Sequence, residues 1–309
     1  MGCLLRCSCF SRTIGTSGRI ARLSRRKIHT TATALIPFHS RGKRSSRVSP
    51  QHPCVFTPQR TKLSRNDLDA PWTVFAWGKE VEFSTAKVVE SQNVTEQITR
   101  IMVDIGGLSS GYTTPGQFLQ LKVGDGKPAF IAIASPPDAN SAVVELLVKK
   151  QGEAAEALCG LSEGDDVSAS PVMGKGFPVK NIPPEEIKTV FMFATGSGIS
   201  PVKALIESGA LQTGDRKDSI LFYGARNKAL MAMSDSLSSW EDLGVKVVPV
   251  FSEEGKGYVQ NVFDGEKENL MGDPASTGVI LCGQKEMCQA VTEMMTEAGV
   301  DKEKILLNF

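Results

Sequence analysis

From Thr189 to the carboxyl end, short apolar runs alternate with helical ones, and this rhythm leaves few ways to fold. A strand at 189–194 leads to a helix at 201–208, 219–223 to 229–240, 246–250 to 259–269, and 278–282 to 285–298; residues 305–309 close the series. Strands apolar on both faces and separated by helices predict a parallel sheet covered on each side.

The preceding stretch keeps another rhythm. Short β-rich runs at 86–90, 98–104, 118–123, 130–134, 143–149 and 166–170 are broken by Gly106-Gly107, Gly124-Asp125-Gly126 and Pro136-Pro137, with one brief helical stretch at 153–159. That pattern predicts a six-stranded antiparallel barrel at 80–180 followed by an α/β domain at 186–309, with the boundary near 179–186. The 309 residues suffice for two domains with separate cores. No stretch reaches the ~18 consecutive apolar residues of a membrane-spanning helix.

The net charge of +1 conceals a split. Residues 1–66 hold 14 of the 35 Lys and Arg and no Asp or Glu, which leaves 21 basic against 34 acidic residues, a net of −13, in the remainder. A basic segment rich in Arg, Ser and Thr has the composition of an organelle transit peptide. Its scarce aromatics, with no reading module behind it, argue against a nucleic-acid-binding arm. Met1-Gly2-Cys3 invites lipidation, but Arg6 stands where the myristoylation pattern wants Ser or Thr. All three histidines, His29, His39 and His52, fall in this segment, so its removal leaves neither a histidine base nor a histidine metal ligand. Cys159, Cys282 and Cys288 would remain, without the paired spacing of a disulfide framework or an iron–sulfur cluster.

The sharpest motif is Ala194-Thr195-Gly196-Ser197-Gly198-Ile199-Ser200-Pro201, between the first strand of the parallel sheet and its helix. Gly196 and Gly198 remove the Cβ atoms that would keep phosphates from backbone N–H groups, while Ser200 is expected to cap the helix and Pro201 to open it. The positive helix end then favours a pyrophosphate. A plain strand-to-helix turn would use glycine equally well. The motif departs from the Rossmann fingerprint, because Pro201 replaces the third glycine and the second strand ends in Tyr223-Gly224-Ala225-Arg226 with no acid. Arg226, with Lys228 nearby, is either a solvated surface cation or a partner for an adenosine phosphate.

Gly-Ser-Gly-Ile-Ser-Pro, then Tyr223-Gly224-Ala225-Arg226, then Gly257-Tyr258-Val259-Gln260, then Cys282-Gly283 with Met287, resembles the pyridine-nucleotide domain of the ferredoxin–NADP reductase superfamily. Upstream, Gly164-Asp165-Asp166-Val167 followed by Pro171 and Gly174 is similar to the end of that family's flavin barrel. The resemblance covers residues 80–309 and looks nearest to the plant fruit-protein type. It implies FAD on the barrel, NADPH or NADH on the second domain, hydride transfer between them, and an electron-acceptor protein as partner. The cofactors would supply the reactivity, which suits a chain without histidine. By position, Thr195 to Pro201 and Gly224 to Arg226 would hold the nucleotide, and Cys282, Gly283 and Met287 would lie beside the nicotinamide. On the residues alone, Cys282 at a strand end reads more readily as a small buried filler, a preference that the neighbouring motifs reverse.

The flavin side matches less closely. The family's Arg-x-Tyr-Ser falls on Ala129, Phe130, Ile131 and Ala132, just before Ser135, and its Gly-x-x-Ser turn falls on Gly152, Glu153, Ala154 and Ala155. Phe130 or Ile131 then offers only an apolar face and the strand its backbone groups, while Lys149 or Lys150 offsets Glu153 near a diphosphate. Phe309, at the chain end, would cover the flavin ring or pack as a terminal strand. Three readings stay open: a flavin-dependent NAD(P)H oxidoreductase, a nucleotide- or partner-binding descendant that has lost flavin, and the electron-transfer subunit of a larger complex, against which it counts that no cysteine cluster follows the nucleotide domain. The presequence leads to a chloroplast stromal or a mitochondrial address.

Overall fold

The computed structural model describes residues 81–255 and 257–308; the predicted presequence and Phe309 lie outside the described residues. Six strands, β1 Ser84–Asn93, β2 Ile98–Asp104, β3 Phe118–Lys122, β4 Ala129–Ala132, β5 Val143–Lys149 and β6 Asp166–Ala169, form one antiparallel sheet in the order β4-β3-β6-β1-β2-β5. Its two ends meet where Ile133 bridges Leu146 and the Ala134 N–H donates to the Glu145 carbonyl at 2.7 Å, so the sheet is a nearly closed barrel. Along β5 the side chains alternate. Val144, Leu146 and Val148 join Ile101, Val103, Leu119 and Leu121 inside the barrel, whereas Glu145, Leu147 and Lys149 point outward. Helix α1, Glu153–Cys159, packs Leu158 into the barrel core.

The second sheet is parallel, in the order β11-β10-β7-β8-β9, with β7 Thr189–Thr195, β8 Asp218–Ala225, β9 Lys246–Phe251, β10 Thr277–Cys282 and β11 Ile305–Leu307. Helices α2 Ile199–Glu207 and α3 Leu237–Asp242 cover one face, with Val202, Leu205 and Trp240 packing on Met192, Leu221 and Ile280. Helices α4 Val259–Leu270 and α5 Lys285–Glu297 cover the other. There the Phe263 ring stands edge-on to Phe191, Phe193 and Phe222 at 5.0 to 5.5 Å. Both faces are buried, which is why these strands are apolar throughout.

One predicted helix, 229–240, is cut back to its end. Residues 229–240 form two single turns, Lys228–Leu230 and Ser234–Ser236, before α3 begins at Leu237. The Asn227 side chain accepts the Leu230 N–H, and Met233 adopts a left-handed φ of 59°, so local bonds and backbone chirality interrupt the helix.

Both halves belong to one compact unit, and an apolar cluster runs through their contact, joining Ile98, Ala134 and Leu147 of the barrel to Ile199, Val202 and Leu205 of α2. Within that contact the Lys203 ammonium donates to Glu145 Oε2 and Glu207 Oε2, each at 2.8 Å, while Arg100 Nε donates to Glu145 Oε1 at 2.9 Å. Burial alone would push the Glu145 carboxyl up, but the bonds and charges of Lys203, and then of Arg100, hold it below its ordinary value. A carboxyl depressed in the folded state adds stability above its unfolded pKa of about 4.3, and that stability is lost as pH falls through the lower folded value. The Tm gap between the natural protein and Glu145→Gln is therefore expected to be widest near neutral pH and to close below about pH 4. A gap independent of pH would show that the charge contributes nothing.

Candidate active site

In the parallel sheet the chain moves from β7 to β8 and β9, then returns to place β10 on the other side of β7. The loops leaving β7 and β10 diverge at this switch point, and a crevice opens beyond the strand ends, where open α/β sheets bind ligands. Gly196, with φ of 55°, has nothing within 4 Å of where a Cβ would stand, so the crevice has room there. Gly198 is the opposite case: a Cβ on it would collide with the Cys282 carbonyl and lie 2.7 Å from the Gly283 Cα. The two loops therefore touch through backbone. Their contact is fastened by Thr195, whose hydroxyl accepts the Gln284 N–H at 3.0 Å, while the buried Tyr223 hydroxyl of β8 holds the first loop by donating to the Gly196 carbonyl at 3.4 Å.

The expected cap is not formed by Ser200. The helix starts at Ile199, one residue earlier, and the Ser200 hydroxyl donates back to the Ser197 carbonyl at 2.9 Å. Pro201 occupies the third helical position, where its missing N–H costs nothing because first-turn amides lack intrahelical acceptors. No side chain caps this end; a single 3-10 turn, Gly196–Gly198, runs into it and the Ile199 N–H donates to the Gly196 carbonyl, so what the helix offers an anion is its positive dipole.

The crevice widens into a cavity of about 1030 Å³ between the parallel sheet and the barrel. From the nucleotide side Thr195, Gly196, Ser197, Gly198, Ser200, Pro201, Gly224, Ala225, Arg226, Cys282, Gly283 and Met287 line it; from the barrel side Phe130, Ile131, Ala132, Lys149 and Ala155 do. Among the described residues Ile199, Ser135, Gly152 and Ala154 do not, and neither do Lys150 and Lys228. Ile199 is fully buried beneath the loop. The Ser135 hydroxyl accepts the Glu145 N–H at 3.1 Å within the barrel seam, so strand pairing uses the group expected at the flavin. Gly152 forms the N-cap of α1 and Ala154 follows in its first turn, so only Ala155, further along the helix, reaches the cavity. The wall also includes residues the sequence did not single out, namely Gln97, Ile98, Leu147 and Gln151 on the barrel and Ser252, Gln284 and Glu286 opposite. Tyr258 and Gln260 had a sequence signal in the Gly-Tyr-Val-Gln motif; both line the cavity.

Cys282 is 9% exposed, and burial, with Cys288 nearby, pushes its thiol up to about 12. Its side chain is thus neutral at physiological pH, a small polarisable wall rather than a nucleophile. Among the lining residues the charged groups are Lys149, Arg226 and Glu286. The cations outnumber the single acid, which suits an anionic occupant.

A near-closed antiparallel barrel set against a parallel sheet, with a glycine loop at the switch point facing the barrel wall, defines a dinucleotide-binding oxidoreductase. Residues 192–293 match the family described as oxidoreductase NAD-binding domain, a span that runs from β7 into α5. The chain is 33% identical over 231 residues to the fruit protein pKIWI502 of Actinidia deliciosa, covering 69% of this chain and 72% of that protein. It is 30% identical over 188 residues to a probable dihydroorotate dehydrogenase B (NAD(+)) electron transfer subunit of Pyrococcus furiosus, covering 61% of this chain and 66% of that one. A ferredoxin NADP+ reductase from Neisseria gonorrhoeae, solved with bound FAD and NADP, has the same fold with a TM-score of 0.62 at 17% identity, over 74% of this chain and 98% of that one. The chain belongs to the ferredoxin–NADP reductase superfamily of NAD(P)H-dependent flavin oxidoreductases.

The cavity fits both groups of that class. Its volume stands at the upper end of the roughly 300–1,000 Å³ range of ligand pockets. Its barrel wall is apolar at Ile98, Phe130, Ile131 and Leu147, carries one cation at Lys149 and has no carboxylate. Edge strand β4 adds backbone groups. Residues able to hold the flavin are thus present even though Ala129, Ile131 and Ala132 replace the family's Arg, Tyr and Ser. Because the loops touch at Gly198, Gly198→Ala is expected to weaken pyridine-nucleotide binding about tenfold or more, an overpacking cost of about 1–3 kcal/mol spent at the site. Isothermal titration with NADP+ and NAD+ checks this, and unchanged affinity would mean that the contact is irrelevant to binding.

Proposed function

We propose that this protein takes a hydride from NADPH or NADH into a flavin held against the barrel and delivers the electrons to a separate acceptor. The observation that carries the reading is the backbone contact between the Gly198 loop and Cys282-Gly283, which puts the positive end of α2 and a neutral thiol on one wall of a cavity whose other wall is an apolar strand edge. FAD, when bound, supplies the hydride-accepting chemistry that the side chains around this cavity lack.

The protein's own part is alignment and exclusion of water. The glycine loop and the positive end of α2 hold a diphosphate, and Arg226 at the end of β8 offers its cation to the adenosine end. Cys282 and Met287, both buried, keep solvent from the reacting end without offering a competing charge. Lys149 is placed to offset the flavin's phosphates on the barrel wall. The relative from Pyrococcus furiosus is described as an electron transfer subunit, which supports a protein acceptor here too.

The basic segment 1–66 supports import into an organelle, with the chloroplast stroma favoured by its many hydroxyl residues and by the plant relative. A fluorescent fusion carrying residues 1–80 is expected in plastids; a mitochondrial pattern would redirect the assignment.

The purified full chain incubated with FAD is expected to emerge yellow from desalting and to bleach anaerobically with NADPH or NADH. Uptake of nucleotide without flavin would instead favour a non-catalytic descendant, a reading that the substitutions at Ala129, Ile131 and Ala132 motivate.

A further inference from the structure

Glu145, Leu147 and Lys149 alternate onto the outward face of β5, beside Ile98 and Arg100 on the same face of β2. Leu147 and Lys149 line the cavity; Glu145, two residues earlier, meets α2 instead. On α2, Ser200 and Pro201 line the cavity, while Lys203 and Glu207, one turn apart, reach the Glu145 contact. The join between the halves thus sits immediately beside the cavity and belongs to the same two elements that form its walls.

The join is charged and saturated. Lys203 is 7% exposed and Glu145 6%. The three ammonium hydrogens meet three acceptors, Glu145 Oε2, Glu207 Oε2 and, more loosely, the Ala134 carbonyl at 3.4 Å. The remaining oxygen of Glu145 takes Arg100, and that of Glu207 takes the Trp240 indole N–H at 3.0 Å. Stability alone does not explain such a cluster, since a well-packed apolar replacement for a buried ion pair is often as stable or more so. What directional bonds add is register. An apolar contact tolerates sliding, whereas an ammonium tied to a barrel carboxylate, a barrel carbonyl and its own helix fixes both the slide and the rotation of α2 against β5.

We propose that Lys203 is a positioning residue, which by binding Glu145, Glu207 and the Ala134 carbonyl sets the spacing between the phosphate-loop wall and the barrel wall of the cavity. The inference rests on the hydride-transfer reading given under Proposed function, because only that reading needs two ligands on opposite walls to meet within a fraction of an ångström.

The test compares the FAD-loaded full chain with Lys203→Met and with the double variant Glu145→Gln/Lys203→Met. Calorimetry measures the affinity for NADP+ and for FAD, stopped flow the rate of flavin reduction by NADPH and NADH, and difference spectroscopy the change that NADP+ or NAD+ causes in the bound flavin's visible absorption. Both variants are expected to keep each separate affinity within about threefold, to lose about tenfold or more in reduction rate and to show a difference spectrum at most half the natural amplitude. The double variant, with both members of the pair removed, is expected to recover most of any lost Tm without recovering rate or spectrum. Recovery of rate together with Tm would assign the pair to stability and overturn the proposal, as would failure of both variants to fold. Natural protein that takes up no FAD, or is not reduced, would overturn the functional reading and this inference with it, before any variant is compared.

Discussion

Strand β5 has two buried faces, and the rest of the molecule is arranged around that constraint. Its inward residues complete the barrel core, and its outward ones carry the contact with α2. A strand in a free-standing barrel would show polar residues on the second face. Here Leu147 is buried in the apolar cluster shared with α2, and the outward Glu145 is charged but fully bonded. The two halves are consequently held by a contact that is both apolar and directional, which is unusual for domains expected to move against one another.

The same contact explains how a sparse set of polar groups builds a site. The parallel sheet presents the positive end of α2 at its switch point, the barrel presents a strand edge, and neither wall alone makes a pocket. Side-chain chemistry contributes little: a neutral thiol, one cation on each wall and an acid. Most of the recognition is by backbone. That is consistent with a family in which loop shape persists while individual flavin contacts such as the Arg and Tyr replaced by Ala129 and Ile131 are exchanged.

Much of this was legible beforehand. Strands β2 and β5 and helix α1 fall where the hydrophobic rhythm and turn residues put them, because each has a period set by burial on known faces. The region before α3 was not, since Asn227 capping and the left-handed Met233 depend on local bonds that compete with a weak helical pattern. The loop between β7 and α2 was readable from its glycines, whereas Ser135, Gly152 and Ala154 were placed by motif position, which says nothing about which way a strand or helix turns them. Glu145 and Lys203 did leave a trace: each is the single charged residue inside an otherwise apolar run. Their partnership was invisible because 58 residues of chain separate them.

The burial of Cys282 has an outcome for the protein's durability. A thiol that burial pushes up to about 12 stays protonated at physiological pH, and because peroxides and alkylating agents attack the ionised form, this sulfur is shielded from both.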